Sequence, residues 1–133
     1  MTTTIEQKRF RVIKASAGSG KTFRLGVEFL KLILEQEEAS YFKQILGITF
    51  TNKAANELKE RVLVFLKALY LGDNQDLQNI VMEQTALSEQ VLKERAKKCY
   101  EAILVDYGEF SIMTIDKFVQ RIVRGFSREL GLQ

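Results

Sequence analysis

The 133-residue chain has no proline, no histidine, no tryptophan and one cysteine. Without histidine there is no imidazole to act as a general base, and most zinc sites lose their usual ligand. With Cys99 alone, an internal disulfide is impossible, which fits a reducing, cytoplasmic setting. Without proline nothing breaks a helix from within, so a helix-rich chain is expected. No apolar run reaches the roughly 18–20 residues of a membrane span. The first residues, MTTTIEQKRF, hold no apolar signal core, so no secretion is expected. No repeat, low-complexity tract or Gly/Ser linker suggests an internal boundary, so residues 1–133 are read as one domain.

The net charge of +3 permits a polyanionic partner without arguing for one. Lys117, Arg121, Arg124 and Arg128 recur at helical spacing near the end of the chain. Such a run is more often a solvated helix face than a track for phosphates.

Apolar periodicity orders the rest. RFRVIKAS, residues 9–16, reads as a strand running into a small-residue turn. Phe23, Val27, Leu30 and Leu34 then mark the buried stripe of a helix that begins at Lys21 and ends near Glu38. QILGITF, residues 44–50, is expected to be a second, buried strand. Ala55, Leu58, Val62, Phe65 and Leu69 form the seam of a long helix capped by Thr51 or Asn52. Residues 71–76 read as a loop, residues 77–84 as a short helix, and residues 88–105 as a helix capped by Ser88. Leu92, Ala96, Cys99 and Ile103 share one face of that last helix, which makes Cys99 a core thiol. GEFSIMTI, residues 108–115, is expected to be a third strand. It is followed by a helix with Ile115, Phe118, Ile122 and Phe126 on its apolar side. Strands alternating with helices predict an α/β fold: a three-stranded parallel sheet flanked by helices.

Between the first strand and the first helix lies ASAGSGKT. It meets the pattern G-x-x-x-x-G-K-[ST] except that Ala15 replaces the first glycine. Gly18 and Gly20 let the backbone approach an anion closely, so that the amides around Ser16, Ala17 and Ser19 can cradle phosphate. The helix that follows aims its positive end at the same point. Lys21 reaches the β- and γ-phosphates of a nucleotide in such loops, and the Thr22 hydroxyl joins the Mg²⁺ shell. Kinases, GTPases, transporters and helicases share this device.

Three blocks narrow the choice. ASAGSGKT, then ILGITFTNKAANELKERV at 45–62, then FSIMTIDKFVQRIVRGFSRELGL at 110–132 resemble motif I, motif Ia and the motif Ib region of UvrD/RecB-type superfamily 1 DNA helicases, in the family's order. The RecB/AddA-like branch, with the bacterial exonuclease V β-subunit type, is the nearest in pattern. The resemblance implies a P-loop, RecA-like partial domain that binds ATP and Mg²⁺ through residues 15–22. It also implies DNA contacts from Thr49, Phe50, Thr51, Asn52, Lys53 and Thr114. The implied partners are single- or double-stranded DNA, the second RecA-like lobe and recombination-nuclease subunits, in the bacterial cytoplasm with no membrane. Composition alone makes Phe50 a core residue and Asn52 a cap. An aromatic at a strand end can equally stack on a base. The third block departs from the family pattern at Asp116 and Lys117, where His and Ser are usual. Arg61 is read as a surface partner of Glu57.

The Asp-Glu pair that holds Mg²⁺ and activates water in such motors is missing. Asp106 ends an apolar run, but Tyr107 stands where the glutamate belongs, and the segment also fits a helix. The expectation is therefore the N-terminal part of a larger helicase, with little or no ATP turnover of its own. Two other readings are a small P-loop nucleotide kinase, which leaves TFTNKAA unexplained, and a non-catalytic DNA-binding module.

Overall fold

A computed structural model describes residues 19–131. The first expected strand and residues 15–18 of the glycine-rich loop lie outside those residues. Helix α1 spans Ser19–Leu34, strand β1 Gly47–Thr49, helix α2 Asn52–Leu71, helix α3 Gln75–Thr85, helix α4 Glu89–Val105, strand β2 Ile112–Thr114 and helix α5 Ile115–Glu129. Two 3-10 turns, Ala39–Gln44 and Tyr107–Glu109, lead towards the strands.

Helix α1 stops at Leu34, short of Glu38. Glu35, Glu37 and Glu38 would place negative charge at the negative end of the helix dipole, which disfavours continuation. Instead a cation closes the end: Arg95 Nη1 of α4 donates to the carbonyls of Leu34 (2.9 Å) and Glu35 (3.1 Å). Side-chain caps start the next helices. Thr51 Oγ1 accepts from the Ala54 amide at 3.0 Å, Asn74 Oδ1 from Leu77 at 3.0 Å and Ser88 Oγ from Val91 at 3.3 Å. Helix α2 ends on Gly72, whose φ of 74° is the left-handed turn that glycine adopts without strain.

The seam predicted for α2 is buried as expected, from Ala55 to Leu69. It packs between α1 on one side and α4 on the other. The α4 face of Leu92, Ala96, Cys99 and Ile103 is buried too. Gly26 explains itself at the α1–α2 contact. A Cβ there would lie 2.9 Å from Phe65 Cε2 and 3.1 Å from Arg61 Cγ, so only a bare backbone fits. Phe23 meets Phe65 edge to face at 5.4 Å but stays 36% exposed, at the margin of the core rather than inside it. A second aromatic group gathers on Phe110, with Phe29 at 5.4 Å and Phe42 at 6.2 Å.

Among the described residues the sheet has two strands, where three were expected over the whole chain. They run parallel, with Gly47 opposite Ile112, Ile48 opposite Met113 and Thr49 opposite Thr114. Helices α2, α3 and α4 make the crossover that parallel pairing requires. Both strands are shorter than their apolar runs. Gln44 belongs to a 3-10 turn, Glu109 to another, and Ile115 already opens α5. β2 is buried throughout, whereas β1 is not: Ile48 is 46% exposed. The expectation of a buried second strand fails because nothing described covers that face of β1. The stripe on α5 departs further. The helix forms, yet it has no buried residue, and Ile115, Ile122 and Phe126 are all exposed.

Candidate functional site

Parallel pairing brings two strand ends to one place. Each ends in a threonine, and these are register partners. Thr51, two residues past the end of β1, caps α2, and Thr114, the last residue of β2, caps α5 by accepting from the Lys117 amide at 3.2 Å. The Thr49 hydroxyl is placed to donate to the carbonyl of Thr51 (3.0 Å) or of Met113 (3.4 Å), tying the two ends together. Ligands of open α/β sheets bind at such carboxyl ends.

The chain between β1 and α2 turns outward here. Phe50 is 85% exposed, which removes the core reading that composition favours. Thr51, Asn52 and Lys53 are exposed beside it. The Thr51 oxygen is used by the cap, but its hydroxyl hydrogen has no acceptor among the described residues. Asn52 makes no side-chain hydrogen bond and Lys53 no ion pair there. The first turn of α2 contains no carboxylate, so its positive end is not neutralised from within. The edge therefore offers an aromatic face, a hydroxyl donor, an amide and a cation. Helix α5 differs, since Asp116 lies in its first turn and satisfies the dipole. Thr114 is buried and committed to its cap, so it shapes the edge from beneath.

Of the nucleotide-loop residues, Ser19, Gly20, Lys21 and Thr22 form the first turn of α1. Ala15, Ser16, Ala17 and Gly18 lie outside the described residues. Lys21 is exposed and Thr22 half-buried. This first turn also lacks a carboxylate. A lysine and a hydroxyl at an uncompensated helix N-terminus suit a phosphate group and its magnesium ion. Asp106 is engaged elsewhere: it ends α4 and pairs with Lys43 at 2.8 Å. That hydrogen bond holds the Lys43 ammonium above its ordinary pKa. Among the described residues no group of three Cys, Asp or Glu side chains is placed to hold a metal ion.

Arg61 does not pair with Glu57. Its guanidinium lies over the Phe65 ring, 5.9 Å from the centroid. Sequence reasoning also passed over Lys59. Its ammonium sits 5.2 Å from the centroid of the Tyr107 ring, and Lys117 and Arg121 of α5 come near enough to oppose its charge. Partial burial first, and then those two like charges, push Lys59 below the ordinary lysine range. No local pattern could have shown this, because Lys59 and its neighbours are far apart in sequence.

The family model of the UvrD/REP helicase N-terminal domain matches residues 2–133. The chain belongs to that family. Among curated proteins it is 33% identical over 127 residues to RecBCD enzyme subunit RecB of Buchnera aphidicola subsp. Acyrthosiphon pisum, a match covering 86% of this chain and 10% of that protein. It is 32% identical over 92 residues to the ATP-dependent helicase/nuclease AddA of Thermoanaerobacter sp. (strain X514), covering 69% of this chain and 7% of the relative. Against the RecB subunit of Chlamydia muridarum it is 46% identical over 66 residues, covering 50% and 6%. The chain thus spans a tenth or less of the length of these relatives. No solved structure matches it. Among the described residues of this helicase-family domain, no helix is long and apolar enough to cross a membrane.

Proposed function

We propose that the chain is the ATP-binding and single-stranded-DNA-contacting part of an ATP-dependent DNA helicase that serves repair or recombination. The observation that carries the DNA half is Phe50, 85% exposed at a strand end beside Thr51, Asn52 and Lys53. An unpaired aromatic of that size on an α/β sheet edge is costly to leave in water and is suited to stacking on a base. Thr51 and Asn52 then hydrogen-bond phosphate or sugar, and Lys53 and the α2 N-terminus supply positive potential. Thr49 and Thr114 hold the two strand ends in register beneath them.

The ATP half rests on Gly18, Gly20, Lys21 and Thr22 in the loop pattern, with Ala15, Ser16, Ala17 and Ser19 contributing backbone. MgATP supplies the phosphoryl bond whose hydrolysis drives a motor. Lys21 binds its β- and γ-phosphates, and Thr22 orients the metal. The second RecA-like lobe supplies the remaining charges, and recombination-nuclease subunits are further partners. Turnover by the chain alone is not expected, because the sequence has no Asp-Glu pair following an apolar strand.

Thermal melts with MgATP test the first half. At about a hundred times its dissociation constant, a ligand stabilises the fold by roughly 2.7 kcal/mol. A rise in Tm that Lys21→Ala abolishes is the expected result; no rise at millimolar MgATP in the intact chain overturns the nucleotide reading. Fluorescence anisotropy with labelled single-stranded DNA tests the second half. Phe50→Ala should cost about 1–3 kcal/mol of binding, and unchanged affinity would remove Phe50 from the interface.

A further inference from the structure

Three cations converge between α2 and α5 without a counter-charge. Lys59 lies about two turns into α2, and Lys117 and Arg121 are one turn apart on α5. None of the three forms an ion pair among the described residues, although carboxylates elsewhere on the surface do. Glu57 and Glu60 flank Lys59 in sequence and Asp116 precedes Lys117, yet none of them closes on the cluster. Lys59 is also held in place, half-buried with its ammonium over the Tyr107 ring at 5.2 Å. A mobile surface lysine would swing away from two like charges; this one is anchored beside them.

An anchored group of unpaired like charges is unfavourable until an anion joins it, and the depressed Lys59 ammonium shows the strain. The anion must offer several negative charges at close intervals. We propose that Lys59, Lys117 and Arg121 form a phosphodiester-binding site that takes backbone phosphates of the same single strand whose base stacks on Phe50. The site rests on the DNA-contacting reading above and extends it. Lys59 is eight residues past Thr51, about 12 Å of helix rise, so it meets nucleotides beyond the one at Phe50. Phosphate contacts of this kind set position and affinity and carry no sequence preference.

The salt dependence of binding separates this site from the stacking contact. For single strands, each phosphate neutralised contributes about −0.7 to the slope of log K against log salt. Anisotropy titrations of labelled oligothymidylate and of a mixed-sequence oligonucleotide at several salt concentrations read that slope. Arg121→Gln and Lys117→Gln, both exposed positions, should each make it shallower by about 0.7 and weaken the two oligonucleotides alike. Lys59→Gln should do the same and Lys59→Arg should restore the slope, which separates charge from a packing role. Phe50→Ala should weaken binding and leave the slope unchanged. If the Gln variants keep the wild-type slope and affinity while Phe50→Ala weakens binding, the phosphate site is wrong and the stacking reading stands. If the wild-type chain binds no single-stranded DNA at low salt, both are wrong. If an acidic peptide competes with the wild-type cluster while DNA binding ignores the Gln variants, the partner is a protein and the phosphodiester assignment is overturned.

Discussion

Helices α2 and α5 begin alike. Each leaves a parallel strand end through a threonine cap, and each carries apolar residues at three- and four-residue spacing. Their fates differ. α2 buries Ala55, Leu58, Val62, Phe65, Leu66 and Leu69, whereas α5 buries nothing. α2 lies against α1, α4 and both strands, while the packing of α5 is limited to the strands. Periodicity tells which side of a helix is apolar. Whether that side has a partner depends on elements far away in the sequence. The two helices should therefore respond very differently to substitution.

The largest contrast should come from Leu66, fully buried in α2. Leu66→Ala should cost about 2–5 kcal/mol in denaturant unfolding. A cost under 1 kcal/mol would mean that α2 is not the centre of the core.

The α2–α4 interface can also be read through pH. Burial pushes the Cys99 thiol up to about 11. Below the ordinary thiol pKa both states keep the proton, and the contribution is constant. Above it the unfolded chain ionises while the folded chain does not, so stability falls as pH rises towards about 11, by about 2–3 kcal/mol in total. Cys99→Ala should flatten that part of the stability–pH curve. Native Cys99 should also react slowly with a thiol reagent until the protein is unfolded.

Caps test the shared beginning of the two helices. Thr51→Ala should cost about 1 kcal/mol of global stability, because α2 is tied to the core. The same change at Thr114 should appear mainly as lost helicity in α5. Equal global losses would show that α5 is as well integrated as α2.

The smallest effect should be on the open side of α5. Ile122→Lys or Phe126→Lys should change stability by less than about 0.5 kcal/mol. A loss above 1 kcal/mol would show that the stripe is covered, and the contrast would disappear.

Much of α2 was legible from local pattern, because every seam residue follows one period and Thr51 sits where a cap belongs. The choice between Thr51 and Asn52 needed coordinates, since it depends on which oxygen reaches Ala54. Strand lengths were not legible: pairing of residues 47–49 with 112–114 is a non-local event, and apolar runs extend past it on both sides. Phe50 shows the limit at the candidate site. Its residue type argues for the core, the helicase resemblance argues for the surface, and the turn out of β1 leaves it in water. The cluster of Lys59 with Lys117 and Arg121 had no local sign at all, because it depends on how two helices from different blocks of the chain lie together.

Gly26 has a mechanical consequence. The helix that opens with Lys21 and Thr22 rests its bare backbone directly on the Phe65 ring of the helix that opens at Asn52. No flexible side chain lies between them to absorb a displacement. A shift of the first helix along its axis as phosphate comes and goes is therefore passed to the second as a push, and the stroke reaches the Phe50 edge through a joint without slack.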